Sequence, residues 1–123
     1  MRIKDLENYN FHDAGLLKIE KNESFVKLTI LFLLYDQSNY NEGDPENSEI
    51  TLTFNNISFC DFSEKEIHND TIIDVEIFDN KCTFKMSASN DEFYMFTIEA
   101  ESVEFNTVRT IDDLNSFYEE NNL

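Results

Sequence analysis

Glycine, proline and cysteine are scarce in this chain. Its 123 residues include 2 Gly, 1 Pro, 2 Cys and no Trp. Because Gly15 and Gly43 are the only glycines, neither a Walker-type nor a dinucleotide-binding glycine pattern can form, and nucleotide binding by those routes is excluded. The low content of glycine and proline also argues against low-complexity or linker-built organisation. We therefore expect one compact domain that spans residues 1–123.

Residues that commonly carry chemistry are equally few. His12 and His68 are the only histidines, and their acidic neighbours carry little information in a chain with 26 Asp and Glu. Cys60 and Cys82 stand far apart, without a second Cys or His at zinc-finger spacing. The acidic stretch 36–49 lacks the ligand pattern of an EF-hand loop. We predict no catalytic, cofactor-binding or metal-binding residues, and we expect both cysteines to be free, buried thiols.

Basic side chains are outnumbered. The chain has 9 Lys and Arg against 26 Asp and Glu, with a formal net charge of -17. Residues 1–41 hold 5 basic and 6 acidic side chains, whereas residues 42–123 hold 4 and 20, so the later two-thirds carry nearly all of the negative charge. A surface of this sign repels nucleic acid and anionic lipid and attracts basic proteins, although solubility alone is the simpler explanation.

Long apolar runs are also missing. The longest, from Leu28 to Tyr35, is far shorter than the roughly 18 residues that a membrane-spanning helix needs. The first residues lack the apolar stretch and cleavage site of a secretory signal. The sequence therefore predicts a soluble, cytoplasmic protein with no membrane contact.

The pattern that is present is β alternation. A two-residue turn at Asp79-Asn80, of a kind suited to type I′ geometry, joins strands at 72–78 and 81–87 into a hairpin. That turn places three apolar pairs on one face and a charged pair on the other: Ile77 with Cys82, Val75 with Phe84, Ile73 with Met86, and Asp74 with Lys85. A single register of the hairpin therefore places the apolar partners inside and the opposite charges outside.

Other segments alternate in the same way. Strands are predicted at 16–21 and 25–35, around Ile50-Leu52-Phe54 and around Phe96-Ile98-Ala100. Phase shifts predict a bulge or strand break near Asn55-Asn56 and Glu101-Ser102. The stretch 30–34 is apolar at every position, which predicts a central strand covered on both faces. A helix capped by Thr110 is expected to cover its second face with Ile111, Leu114, Phe117 and Tyr118.

These elements together predict a mainly β fold. We expect an antiparallel meander of about six strands, arranged as a sandwich or partial barrel, with a short C-terminal helix. The polar segment 36–48 does not fit a strand and reads as a long loop, and Ser63 to His68 reads as a single helical turn.

The segment Tyr9-Asn10-Phe11-His12-Asp13-Ala14 resembles the aromatic-x-Phe-His-Asp-small segment that opens a group of small, acidic, β-rich bacterial proteins. Some members of that group look like immunity proteins of polymorphic toxin systems. The resemblance covers about six residues and implies no functional residue. The simplest role for His12 and Asp13 is to tie the N-terminal segment to the sheet, with Asp13 as a buried acceptor of backbone N–H groups.

Three functional hypotheses follow. The first is a non-enzymatic protein-binding domain with a basic partner, most concretely an immunity protein that neutralises a toxin such as a nuclease. The acidic residues expected to carry that binding are Asp44, Glu46, Glu49, Asp74, Glu76, Glu99 and Glu101. The second is a β barrel that binds a small ligand or lipid, although small barrels usually fill with their own side chains. The third, an enzyme that uses His12 and Asp13, lacks a nucleophile with an orienting partner.

Overall fold

A computed structural model describes residues 1–63 and 66–123 of the chain. Six strands are present: β1 (Gly15–Lys21), β2 (Phe25–Leu33), β3 (Asn47–Cys60), β4 (Asp70–Phe78), β5 (Lys81–Ser87) and β6 (Phe93–Ile111). The helix α1 (Leu114–Glu120) follows, and 3₁₀ helices lie at Ile3–Asn8 and Leu34–Asp36. The helical turn predicted from Ser63 to His68 contains residues 64 and 65 and lies outside the described residues. No helix in the described ranges is long and apolar enough to cross a membrane.

The six strands form a closed barrel in the order β1-β2-β3-β6-β5-β4, with every neighbouring pair antiparallel. The predicted mainly β class, the six antiparallel strands and the C-terminal helix are confirmed, and the barrel is closed rather than partial. The strands form two three-stranded meanders, because the chain crosses over between β3 and β4. The seam that closes the barrel is short, since β1 and β4 pair only at Gly15 with Thr71 and at Leu16 with Asp70.

The β4–β5 hairpin has most of the predicted register. Ile77 faces Cys82, Val75 faces Phe84 and Asp74 faces Lys85, as predicted. The predicted pairing of Ile73 with Met86 is wrong, because a register shift between Ile72 and Asp74 places Ile72 opposite Met86. Ile73 is the extra residue of this bulge. In the turn, Asp79 has a φ of 52°, and Asn80 is not among the residues of positive φ, so the turn differs from type I′, which needs both.

The alternation of inward and outward side chains in β3 and β6 shifts phase at the predicted residues. Phe54 faces Val103 and Ile57 faces Ala100, so the core-facing residues are three apart on both strands at the same point. The predicted bulge or strand break at this place is wrong, because both strands are continuous and no register shift separates these two pairs. Asn56 lies between them with a left-handed φ of 57°, a conformation that asparagine tolerates better than most residues. The side-chain alternation therefore restarts at Asn56 without an inserted residue.

The barrel interior is filled by apolar side chains. Phe54, Phe84 and Phe96 are at most 1% exposed. Phe84 stacks on Phe96 with ring centroids 5.1 Å apart, and Phe54 meets Phe84 edge-on at 6.3 Å. Aliphatic residues complete the core: Val26, Leu28, Ile30, Ile50, Leu52, Ile72 and Ile98. The middle of the barrel is thus packed by the protein itself, as is usual for small barrels.

The second face of β2 is covered by the C-terminal segment, as predicted. Leu31 packs outside the barrel with Ile111 and Phe117, and all three are buried. The predicted cap is wrong, because Thr110 still belongs to β6 and α1 begins after Asp113. The Asp113 carboxylate accepts a hydrogen bond from the Ser116 backbone N–H at 3.2 Å.

Both cysteines are free thiols, as predicted. Cys82 is buried, and burial raises the pKa of its thiol, whereas Cys60 is only half-buried. The two residues face Ile98 from opposite sides, Cys60 on β3 and Cys82 on β5. Two interstrand spacings of about 4.8 Å therefore separate them, which is more than disulfide geometry accepts.

Candidate protein-binding surface

The seven acidic residues predicted to bind a partner do not form one cluster. Two lie in the loop before β3, one on β3, two on β4 and two on β6: Asp44, Glu46, Glu49, Asp74, Glu76, Glu99 and Glu101. Asp74, Glu76 and Glu99 share the outer side of β4, β5 and β6, and the other four lie outside these cross-strand rows.

Three of the seven are ion-paired. The pairs are Glu49 with Arg109 at 3.1 Å, Glu76 with Lys85 at 2.5 Å, and Glu99 with Lys81 at 3.6 Å. The Glu76 carboxylate also raises the pKa of the Lys85 ammonium. Glu76 is exposed, whereas Glu49 and Glu99 are half-buried. Surface ion pairs typically contribute at most about 1 kcal/mol to stability, but each one offsets an acidic charge that a partner would otherwise meet.

The other four carry no ion pair within the part of the chain that the structure describes. Glu101 accepts a hydrogen bond from the Asn56 side-chain amide at 2.9 Å, and Asp74 accepts one from the next backbone N–H at 2.9 Å. Asp44 accepts one from the Asn41 backbone N–H at 3.2 Å. Within the described residues, Asp44, Glu46, Asp74 and Glu101 therefore lack a cationic nitrogen within the 4.0 Å of an ion pair.

The closed barrel turns the charge asymmetry of the sequence into an asymmetry in space. β1 and β2 are neighbours, and both come from the nearly neutral first third of the chain. On their outer side, Lys18 and Lys27 lie 3.0 and 4.0 Å from the Glu20 carboxylate. The hydrogen bond from Lys18 lowers the pKa of Glu20. The negative charge therefore lies mainly outside β1 and β2, on the later strands, the loops between them and the C-terminal segment.

The outer side of β4, β5 and β6 is one continuous surface, here called the β4–β6 face. Its residues form four cross-strand rows: Thr71, Ser87 and Phe93; Asp74, Lys85 and Met95; Glu76, Thr83 and Thr97; and Phe78, Lys81 and Glu99. The four rows hold three acidic and two basic side chains, and both lysines are already ion-paired. Asp79, Asp91 and Glu92 in the adjoining turns add three more acidic side chains. The β4–β6 face is therefore net negative without a free cation of its own.

An apolar patch lies at one end of this face. Phe93 and Met95 are 77% and 66% exposed, although both are large apolar side chains. Together with Ile73 they line a shallow hollow of about 290 Å³, whose other walls include Lys85 and Tyr94. Contiguous exposed apolar surface is uncommon on proteins that work alone and commonly marks a contact site.

Phe93 and Met95 were missed by the sequence analysis, which predicted a strand around Phe96-Ile98-Ala100 and named no outward-facing residue before Phe96. The signal was available, because Phe96, Ile98 and Ala100 set an inward alternation on β6. Extending that alternation backwards places residues 95 and 93 on the outer side. Ile73 could not be found in this way, because its outward position depends on the bulge.

The His12-Asp13 pair anchors the N-terminal segment to β4. The His12 Nδ1 atom lies 2.6 Å from the carbonyl oxygen of Ile73, and because a carbonyl only accepts, this nitrogen donates. That hydrogen bond, and then the Asp13 carboxylate, raise the pKa of His12. Asp13 has a φ of 67° and donates its backbone N–H to Ile72. The expected buried position of Asp13 is wrong, since its side chain is 62% exposed, and Asn10 accepts the local backbone bond instead.

Among residues 1–63 and 66–123, no three or more His, Cys, Asp or Glu side chains come together in a way that could hold a metal ion. Comparison with protein-family models, with curated proteins and with solved structures finds no match for this chain. The arrangement of the β4–β6 face is therefore the main physical guide to function.

Proposed function

We propose that this protein acts by binding a basic protein partner and not by catalysis, and that the partner docks on the β4–β6 face. The observation that supports this most strongly is the exposed pair Phe93 and Met95 beside an acidic surface. Aromatic residues and methionine are enriched at the centres of protein interfaces, and charged residues are depleted there. An apolar anchor with a charged surround has the composition of an interface.

The two parts of the face have different tasks in this proposal. The acidic side chains attract a basic partner over a distance and raise the association rate, an effect that salt weakens. Phe93 and Met95 supply apolar contact area once the partner has docked, which slows dissociation. The ion-paired Glu76 and Glu99 contribute less to attraction than the predicted set implied, whereas Asp74 forms no ion pair among the described residues and lies in the same row as Met95.

The resemblance of the Tyr9 to Ala14 segment supports a more specific form of the proposal. In that form the protein is a cytoplasmic immunity protein, and its partner is a toxin such as a nuclease. Nucleases hold phosphate groups with clustered Lys and Arg side chains. An acidic face complements such a cleft in charge, and an apolar anchor beside it fixes the position of the inhibitor.

The test uses the proteins encoded by the genes that flank this one. Each basic product is purified, and its affinity for the wild-type chain and for Phe93→Ser and Met95→Ser is measured by calorimetry. We expect binding to one product, weakened about tenfold or more by either substitution. Tyr35→Ser is the matched control, because Tyr35 is 49% exposed and lies outside the β4–β6 face. A partner that binds both variants as tightly as wild type would contradict the assignment of the face.

The toxin form of the proposal has its own readout. If the bound product arrests bacterial growth when expressed alone, co-expression of this chain should restore growth. The Phe93→Ser and Met95→Ser variants should restore growth less well at equal expression. Growth arrest that the wild-type chain fails to relieve would contradict an immunity role and leave only a binding role.

A further inference from the structure

One end of the barrel holds a cavity that the proposed docking face does not use. It has a volume of about 320 Å³, at the low end of the range of roughly 300–1,000 Å³ that is usual for small-ligand sites. The end of the first 3₁₀ helix, the segment after β2, and the strands β3 and β6 enclose it. Ten residues line it, among them Tyr9, Phe32, Asn39, Ser48, Phe105 and Thr107.

None of these lining residues is charged, although 28% of the chain is Asp, Glu, Lys or Arg. Three are aromatic, and six carry an amide or an aliphatic hydroxyl. A charged ligand would leave water for a site without a counter-ion, which is costly. The composition therefore favours a neutral ligand that has both an apolar surface and hydrogen-bonding groups.

Ser48 supplies an unused hydrogen-bonding group at this cavity. Its position opposite Phe32 on β2, in phase with the core residue Ile50, directs its side chain into the barrel end. The residue is 1% exposed, and among the described residues its Oγ atom has no hydrogen-bond partner. Buried hydroxyl groups almost always have a partner. A hydroxyl left free where a cavity opens is suited to a bond with a ligand.

The aromatic rings that line the cavity pack against one another. The rings of Tyr9 and Phe105 stack with centroids 4.5 Å apart and planes inclined by 16°, and Phe32 meets Phe105 edge-on at 5.5 Å. Gln37 braces the facing segment, because its Nε2 atom donates to the carbonyl oxygens of Asn10 at 2.8 Å and Leu33 at 2.9 Å. Both sides of the cavity are thus formed before a ligand arrives, which lowers the entropic cost of binding.

We propose that this cavity binds a small neutral ring compound that has one apolar face and a rim of hydrogen-bonding groups. Neutral sugars and nucleosides share that chemistry. The apolar face would lie on the aromatic wall, and the rim would bond with Ser48 and with the polar side chains of Asn8, Asn39 and Thr107. The proposal is independent of the β4–β6 face, so either can fail without the other.

The experiment is an NMR titration of the ¹⁵N-labelled protein with four probes at millimolar concentration. D-glucose and uridine represent the two sources of the chemistry, and glucose 6-phosphate and uridine monophosphate are their anionic counterparts. We expect one neutral probe to shift the resonances of Asn8, Asn39 and Thr107, with its phosphorylated counterpart binding at least tenfold more weakly. If neither neutral probe shifts these resonances, or if the anionic counterpart binds as well, the proposal is overturned.

Two variants separate a binding role from a structural one. Ser48→Ala removes a hydroxyl without a protein partner, so its melting temperature should equal or exceed that of wild type, while probe affinity falls about tenfold. Thr107→Val removes a hydroxyl at nearly constant volume and should also weaken binding. Thr29→Val, on β2 outside the lining residues, is the matched control and should bind as wild type does. Unchanged affinity in both Ser48→Ala and Thr107→Val would overturn the proposal.

Discussion

The Phe117→Ala substitution probes how α1 is held on the barrel. Phe117 is 3% exposed and packs with Leu31 and Ile111, and the Arg109 guanidinium lies 5.0 Å from its ring centre. Truncating a buried Phe to Ala costs about 3–5 kcal/mol, and loss of the cation–π contact adds about 0.5–1 kcal/mol. A seven-residue helix is not stable on its own, so α1 leaves the barrel and unfolds once its docking free energy is lost. The loss of stability in Phe117→Ala therefore cannot exceed the free energy that docks α1.

We therefore expect Phe117→Ala to lower the free energy of unfolding by about 3 kcal/mol, at the low end of that range. Urea denaturation followed by circular dichroism measures the change. Phe78→Ala is the matched control: it removes the same atoms from a side chain that is 75% exposed, and its effect should stay within about 0.5 kcal/mol. A loss below about 1 kcal/mol for Phe117→Ala would refute the claim that this cluster fixes α1.

Three further substitutions test other contacts. Tyr94→Phe removes the hydrogen bond to the buried Asp70 carboxylate at 2.5 Å, and should cost about 1.5–3 kcal/mol in urea denaturation; a change near zero would contradict that role. Gly15→Ala places a Cβ atom 2.1 Å from Asn69 Oδ1, so it should destabilise the barrel seam by about 1–3 kcal/mol, and a stabilising effect would show that Asn69 moves freely. The pKa of His12 is raised in the folded protein. Protonated His12 therefore stabilises the fold fully at pH values below the pKa of the unfolded state, and this stabilisation is lost as the pH rises through the pKa of the folded state. Wild type should therefore lose more stability than His12→Gln between pH 6 and 8, and equal slopes would count against the anchor.

Local signals made most of the fold predictable. The Asp79-Asn80 turn set the register of the hairpin, and the all-apolar run in β2 required a cover on its second face, which α1 provides. Both inferences rest on residues close in sequence or on one amphipathic pattern. The Ile73–Met86 pairing failed because a bulge shifts register without a distinctive residue.

The candidate site was less predictable, since it depends on which strands meet. The seven acidic residues were chosen by exposure, but ion pairing with Arg109, Lys81 and Lys85 is decided by long-range contacts. The cavity beside Ser48 combines β2, β3 and β6 with the N-terminal helix. Sequence patterns predict the face on which Ser48 lies, but the pairing of β3 with β6 and the packing of the N-terminal segment bring Phe105 and Tyr9 to the same cavity.

The central claim is that a basic partner docks on the β4–β6 face. Its most direct test is the affinity of the basic flanking-gene product for wild type and for the double variant Phe93→Ser/Met95→Ser, at low and at high salt. The account predicts a double variant that folds as wild type does, binds at least about a hundredfold more weakly, and keeps the salt dependence of association. An unchanged affinity in the double variant, or an association rate in wild type that does not respond to salt, would contradict it.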